Sequence, residues 1–226
     1  MEESQSVFRH YSEELRLLIW SGFFDRMDFQ TYLDDLSCDE DAASYLDELR
    51  EYGKAEFDNK NAAESDWPER TDWDRLNDVF EALNHTGILA LHNAGYTTSD
   101  AHSDAWEIIN DSPPNRWLGF CFYHGQDVER AVLAMPLFIG FDAVADDIQA
   151  KREIGDQIAN ALRKAGFTVD WNGDPETRMS ITNLDWKKRT ESSTEEPPSE
   201  MEDEDPKTVD APAKPGFLAR LFGRSA

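Results

Sequence analysis

Polar side chains capable of chemistry concentrate in two clusters, each following a short apolar run. The first cluster comes after the run at 88–91 and contains His92, Asn93, Tyr96, Thr97 and Asp100. The second comes after the aromatic-rich run at 117–123 and contains His124, Gln126 and Asp127. A third apolar run, at 137–141, is followed directly by Asp142. These imidazoles, carboxylates, amides and hydroxyls are the groups used for metal ligation, proton transfer or recognition of a polar ligand.

The three apolar runs have the length of buried strands, and helical patterns separate them. If each intervening helix crosses over, the three strands can be parallel, and their carboxyl ends then share one edge of the sheet. Ligands bind preferentially at such an edge in open α/β sheets. We therefore predict a candidate ligand-binding edge made of the nine residues named above, on the condition that the strands are parallel.

Three interpretations of this edge stay open. The two histidines with Asp127 and Asp142 could ligate a divalent metal, although no HxH or HExxH spacing accompanies them. His124 could act as a general base oriented by Asp127, although no nucleophile elbow accompanies it and Cys121 reads as a core residue. The third interpretation is structural: His124, Gln126 and Asp127 cap the following helix, and Arg130 pairs with Asp127. We favour the third, and we predict no bound metal and no cofactor.

The whole chain reads as an α+β protein with a mixed five-stranded sheet flanked by helices. We expect a helical segment at 1–66, packed on an α+β domain at 67–189. Two further short strands, at 167–171 and 179–184, are expected to close the sheet as a hairpin around the turn at 172–175. The basic run Lys187–Lys188–Arg189 is expected to be a solvated terminus.

The C-terminal region divides into two parts. Residues 190–213 are rich in Glu, Asp, Ser and Pro, which predicts an acidic disordered linker. Residues 214–226 then form a short amphipathic motif with Phe217, Leu218, Leu221 and Phe222 on one helical face. An apolar, basic motif on an acidic tether is typical of a docking segment, which either binds another protein or folds back on its own domain.

Composition narrows the class of partner. The formal net charge of −25 argues against nucleic acid and anionic membrane surfaces as partners, and a basic protein fits it better. The two cysteines suggest neither a disulfide framework nor a zinc site, and no apolar run is long enough to span a membrane. We therefore expect a cytoplasmic protein without integral membrane association.

Four motifs in order give the chain a family resemblance. They are WPERTDWDRL at 67–76, NAGYTTSD at 93–100, FYHGQDVERAV at 122–132 and VDWNGDPETRMSITNLDWKKR at 169–189. Together they resemble an uncharacterised bacterial family, domain of unknown function 6891, over about residues 7–189. The resemblance implies an α+β fold and marks six residues as typical of the family: Tyr96, Thr97, Asp100, His124, Gln126 and Asp127. It implies no activity, cofactor or substrate.

These features favour a non-enzymatic protein that binds another protein, as a regulatory or immunity-like protein does. Two alternatives use the His92, His124 and Asp127 edge: a metal-assisted hydrolase and a small-molecule binding module. The sequence does not determine the oligomeric state or the identity of the partner.

Overall fold

The computed structural model describes residues 2–39 and 41–190, with side chains described from residue 6 onward. Within these residues the chain forms seven α-helices, one short 3-10 helix and five strands. The helices are α1 (Glu2–Ser21), α2 (Arg26–Leu36), α3 (Leu46–Glu64), α4 (Asp72–His85), α5 (Thr98–Asp111), α6 (Gly125–Val132) and α7 (Ile148–Lys164), with the 3-10 helix at Ala43–Tyr45. The strands are β1 (Ile88–Leu91), β2 (Gly119–Phe122), β3 (Leu137–Ala143), β4 (Val169–Asp170) and β5 (Met179–Ile181). The fold is therefore α+β, as predicted.

The first three helices bury their apolar stripes against one another. Leu15 and Ile19 of α1 are fully buried, together with Tyr32 and Leu33 of α2 and Leu49 of α3. Helix α3 continues through Gly53. Glycine is required at this position because a Cβ atom would lie 2.4 Å from the ring of Phe29. Gly53 therefore allows α2 and α3 to pack closely and does not mark the end of a helix.

The sheet has the strand order β1-β2-β3-β5-β4 and is mixed. Strands β1 and β2 are parallel, with Ile88 opposite Gly119 and Leu91 opposite Phe122. Strand β3 is antiparallel to β2, so the expectation that the first three strands are parallel is wrong for the third. Strands β4 and β5 pair antiparallel, as the predicted hairpin requires.

Strands β1 and β2 are buried on both faces of the sheet, which explains why they are continuous apolar runs. Alternate residues Ile88, Ala90, Cys121 and Tyr123 join the main core with α4 and α7. The intervening Leu89, Phe120 and Phe122 form a second cluster with Ala101 and Ala105 of α5. Neighbouring residues of one strand therefore face different helices.

The last described residues strap the N-terminal helices to the sheet domain. The Trp186 indole donates a hydrogen bond of 3.1 Å to the carbonyl of Ser21, and Trp186 is 9% exposed. The Lys188 ammonium lies 4.3 Å from the Trp73 ring centre and 4.7 Å from that of Phe23, and Lys188 is 3% exposed. The prediction of a solvated basic terminus is therefore wrong for Lys188, which is buried by aromatic rings from two elements.

The predicted domain boundaries at 66 and 189 stay predictions. Residues 2–39 and 41–190 contain no helix that combines the length and the apolar composition required to cross a membrane. The predicted acidic linker and docking motif lie almost entirely outside these residues, since the described chain ends at Thr190.

Candidate functional site

The turns after the two parallel strands lie against each other and continue the strand pairing. The backbone N–H of Ala94 donates to the carbonyl of Tyr123 at 2.9 Å, and that of Gly125 donates to Gly95 at 3.0 Å. Asn93 adopts φ +48°, a left-handed conformation that asparagine tolerates well. A Cβ atom on Gly125 would lie 2.7 Å from the Tyr96 ring, so glycine is required for this close approach.

Each turn begins a helix through a capping box. Thr97 accepts from the N–H of Asp100, and the Asp100 carboxylate accepts from the N–H of Thr97 at 2.9 Å. This backbone hydrogen bond holds the pKa of Asp100 below its usual value. In the second turn, the Asp127 carboxylate accepts from the N–H of His124 at 3.2 Å, at the start of α6. Thr97, Asp100 and Asp127 therefore satisfy backbone N–H groups at the open ends of these helices.

His124 lies at the centre of a buried polar cluster. Its Nε2 atom is 3.1 Å from the Thr98 hydroxyl, 3.2 Å from the Asp127 carboxylate and 3.3 Å from the Arg178 guanidinium. Arg178 also pairs directly with Asp127. His124 is 3% exposed and Asp127 is 1% exposed. Burial lowers the pKa of His124 despite the neighbouring carboxylate, which favours the neutral imidazole.

This arrangement lacks the geometry of an acid–base pair for catalysis. In a catalytic triad the carboxylate holds one ring nitrogen while the other nitrogen faces the nucleophile. Here Asp127 and the Thr98 hydroxyl both approach the same nitrogen. Nδ1 of His124 is buried and has no hydrogen-bond partner among residues 2–39 and 41–190. The cluster can hold α5, α6 and the β4–β5 hairpin together through hydrogen bonds and an ion pair, which is a structural role.

Arg130 was predicted to pair with Asp127, but the structure pairs Asp127 with Arg178. Arg178 supplies the guanidinium, while the Arg130 guanidinium lies 5.1 Å from the centre of the Phe138 ring. Arg178 flanks the same ring at 5.2 Å. Sequence reasoning left Arg178 and Thr98 out of the site, although Arg178 stands in the fourth family motif.

His92 lies on the other face of the sheet, away from His124. Its Nδ1 atom is 2.7 Å from the Tyr123 hydroxyl, and its ring stacks on Phe80 at 4.5 Å. The Trp73 indole donates to the same hydroxyl at 3.3 Å. Because an indole can only donate, the tyrosine proton is free to point at His92, whose Nδ1 then accepts. Burial, followed by the charge of Lys188, lowers the pKa of His92 to about 4.

Tyr96 joins the turn to helix α6. Its hydroxyl donates to the Glu129 carboxylate at 3.0 Å. Burial, reinforced by the charge of Glu129, raises the pKa of Tyr96 to about 12, and burial also raises the pKa of Glu129. Gln126 is exposed, and its backbone N–H donates to the Tyr96 carbonyl at 3.3 Å. Both residues stabilise the contact between the turns.

Asp142 lies at the opposite edge of the sheet from the two turns. Because β3 is antiparallel to β2, Asp142 is paired with Phe120, near the start of β2. Its carboxylate is 3.6 Å from the Lys151 ammonium. The predicted edge of nine residues is therefore divided. Eight of them follow the parallel strands β1 and β2 and lie at one end of the sheet, where His92 and His124 face opposite sides. Asp142 lies at the other end.

The hypothetical metal ligands are not brought together either. Residues 2–39 and 41–190 contain no group of three or more His, Cys, Asp or Glu side chains placed to hold a metal ion. Cys121 is fully buried, and burial raises the pKa of its thiol, which keeps it protonated and unreactive. Phe217, Leu218, Leu221 and Phe222, the predicted docking motif, lie outside the described residues.

The fold and the site define an α+β protein in which two parallel strands feed two capped helices, and whose turn residues pair mainly with one another. The family model for the domain of unknown function DUF6891 matches residues 4–190, so the chain belongs to that family. No curated protein and no solved structure shows significant similarity to this chain.

Proposed function

We propose that this protein acts by binding a basic protein partner, without catalysis, through a concave surface that we call the Trp106 face. This surface lies between α5, the end of β3 and the start of α7, and encloses about 410 Å³. Trp106 and Ile148 provide its apolar part, and Asp142, Asp146 and Glu176 belong to its acidic part.

The observation that carries the proposal is the exposure of two large apolar side chains among carboxylates. Trp106 is 36% exposed and Ile148 is 57% exposed. Tryptophan is enriched among the residues that dominate binding energy in protein interfaces, usually inside a polar rim. The Trp106 face has this composition, with apolar side chains beside a polar rim.

The charge of the face favours a basic partner. Four carboxylates line it, those of Asp142, Asp146, Asp147 and Glu176, against the single ammonium of Lys151. Lys151 is held between Asp142 at 3.6 Å and Glu176 at 3.2 Å. A lysine or arginine side chain can meet these carboxylates and the Trp106 ring together. The net charge of −25 would also steer such a partner toward the protein.

The contacts at the turns after β1 and β2 support a non-enzymatic role. His92 accepts from Tyr123, and His124 and Asp127 contact Arg178. A general base needs an open path to a substrate proton, and both rings are instead packed within the protein. The proposal therefore uses a different surface from the one that the sequence indicated.

A titration with defined peptides tests the proposal. A short peptide rich in lysine, arginine and leucine is added to the full chain, and the indole N–H signals are followed by NMR. The Trp106 signal is assigned with a Trp106→Phe variant. We expect the Trp106 signal to shift, and Trp106→Ala to weaken binding about tenfold, the effect of losing roughly 1.4 kcal/mol at an interface anchor.

Two matched controls distinguish binding at the Trp106 face from attraction of the peptide by the overall negative charge of the protein. Leu133→Ala removes an apolar side chain that is 50% exposed and lies before the start of β3, at the opposite end of that strand from Asp142, and should leave the affinity unchanged. Asp146→Asn with Glu176→Gln should weaken binding more than Glu48→Gln with Glu51→Gln, which removes the same charge from α3. Equal losses in the two charge pairs, or equal affinities for Trp106→Ala and Leu133→Ala, would reject the Trp106 face.

A further inference from the structure

A second concave surface lies between α4 and α7, and we call it the α4–α7 groove. It encloses about 540 Å³. Its floor consists of the small apolar side chains Val79, Ala82, Ala161 and Ala165. Small side chains on two facing helices leave room that larger side chains from another segment can fill.

The rim of the groove is basic on a protein that is otherwise strongly acidic. Arg70, Arg75 and Lys164 line it, with Asp78 as the acidic member. Arg70 pairs with Asp78, and Arg75 pairs with Asp72 at 2.7 Å. Because both arginines are already paired, the net positive charge of the rim comes from Lys164, which can attract an acidic segment.

The described chain ends near the first turn of α4, the helix that forms one wall of this groove. The Arg189 guanidinium donates to the carbonyl of Pro68 at 2.9 Å and lies 3.9 Å from the Asp74 carboxylate. Asp74 precedes Asp78 of the groove by four residues on α4, which is about 6 Å along the helix axis. Thr190 is held next to Lys60 and Glu64. Residues 191–226 therefore start within reach of the groove.

The sequence beyond Thr190 supplies acidic residues and large apolar side chains, which complement the basic rim and the small side chains of the groove. Residues 191–210 contain nine Asp and Glu and one Lys, and they are followed by Phe217, Leu218, Leu221 and Phe222. Even a random chain of the 26 residues between Thr190 and Phe217 has a root-mean-square span of about 28 Å. A tether of this length keeps the motif at an effective concentration on the order of millimolar, so weak contacts suffice to hold it.

We infer that residues 214–226 dock in the α4–α7 groove of the same molecule. Phe217, Leu218, Leu221 and Phe222 fill the floor of small side chains, while Arg220 and Arg224, on the opposite helical face of the motif, point away from the groove. The acidic residues of 191–210 lie along the basic rim. This docking resolves the choice between folding back and binding another protein in favour of folding back. It is independent of the Trp106 face, which lies on other residues.

Paramagnetic broadening in the full chain tests this inference. A spin label is attached at Ser225→Cys in a chain that also carries Cys38→Ser, because Cys38 is exposed and Cys121 is buried. The methyl signals of labelled alanines are then recorded. We expect Ala82, Ala161 and Ala165 to lose most of their intensity, and the buried Ala42 and Ala101 to keep theirs.

Variants show whether the motif and the groove are both responsible. Phe217→Ala with Leu221→Ala should restore the intensity of the groove alanines. Ala82→Arg should restore the signals of Ala161 and Ala165, since Ala82 is exposed on α4 and the new side chain blocks the floor. Ala55→Arg, at an exposed position of α3, is the matched control and should leave the broadening unchanged.

A mixed sample distinguishes folding back from docking in a second copy. Spin-labelled chains without isotope are added to isotope-labelled chains without spin label. The inference expects no broadening in this mixture. Broadening that appears in the mixture with the same strength, or groove alanines that lose no more intensity than Ala42 in the original sample, would overturn it.

Discussion

Among single residues, His92 and Arg178 depend most on their surroundings. His92 is neutral because it is buried beside a lysine, and Arg178 neutralises a carboxylate that is 1% exposed. Neither condition can be recognised from a histidine or an arginine in a sequence, because the neighbours come from distant parts of the chain. Each gives a prediction about stability.

We expect His92 to make the protein less stable in mild acid. Its pKa is about 4 in the fold and about 6.5 in an unfolded chain, so the unfolded state takes up the proton first. The contribution is fully present above about pH 6.5 and is lost as the pH falls toward 4, by on the order of 3 kcal/mol. Urea unfolding at pH 7 and pH 4.5 measures it. His92→Gln should show a smaller loss than wild type, whereas His85→Gln, at an exposed position, should match wild type.

Arg178→Met should lower the free energy of unfolding by about 3 kcal/mol, because it leaves the buried Asp127 carboxylate without its guanidinium. Adding Asp127→Asn should recover part of that loss, since the uncompensated charge is then absent. Chemical denaturation provides the measurement. Arg70→Met is the control, because its pair with Asp78 is exposed and should be worth less than about 1 kcal/mol. Equal costs for the two arginines would contradict the importance of burial.

At the level of elements, the edge strand β1 is protected by a side chain. The Asn84 amide of α4 accepts from the Ala90 N–H at 2.8 Å and donates to the Ala90 carbonyl at 3.4 Å. Since β2 is the only strand beside β1 in the described part of the chain, these backbone groups would otherwise face solvent or another chain. The contact replaces part of a missing strand and fixes α4 to the sheet.

Asn84→Ala should therefore cost about 1–2 kcal/mol and increase self-association. Asn77→Ala is the matched control, because Asn77 lies on the same helix and bonds only to the neighbouring Glu81 side chain. Both variants gain the same helix propensity, so the difference between them reports the contact with β1. Thermal unfolding and analytical ultracentrifugation measure the two effects. A control that aggregates as readily as Asn84→Ala would rule out the protective role.

Over the whole molecule, the segment 185–190 joins the N-terminal helices to the sheet domain. Trp186 bonds to Ser21, Lys188 lies between Phe23 and Trp73, and Gly22 lies so close to Lys188 that a Cβ atom would be 2.4 Å from its carbonyl oxygen. These contacts join residues far apart in sequence, since Trp73 and Lys188 are 115 positions apart and Ser21 and Trp186 are 165 apart. They should make the two parts unfold together.

Trp186→Ala should destabilise the protein by about 3–5 kcal/mol and lower hydrogen-exchange protection in α1 as well as in the sheet. Loss of a buried tryptophan removes both a packed ring and the bond to Ser21. Trp106→Ala serves as the control, because its partly exposed ring should cost much less. Loss of hydrogen-exchange protection confined to the sheet would show that the N-terminal helices are held independently of the segment 185–190.

The sequence by itself determined the local structure and the family. Apolar periodicity located the helices and strands, and the four motifs indicated the family that the family model confirms. These features depend on residues within one or two turns of each other, and neighbouring residues are what a sequence displays directly.

The tertiary structure alone decided the direction of β3, and with it the fate of the predicted site. A fully buried strand has an apolar pattern whether it is parallel or antiparallel to its neighbour, so this pattern does not show its direction. The antiparallel pairing sends Asp142 to the far edge, and the alternation of side chains separates His92 from His124. The partners of His124 and Lys188 likewise come from remote segments, because burial and pairing across the fold are fixed only when the chain packs.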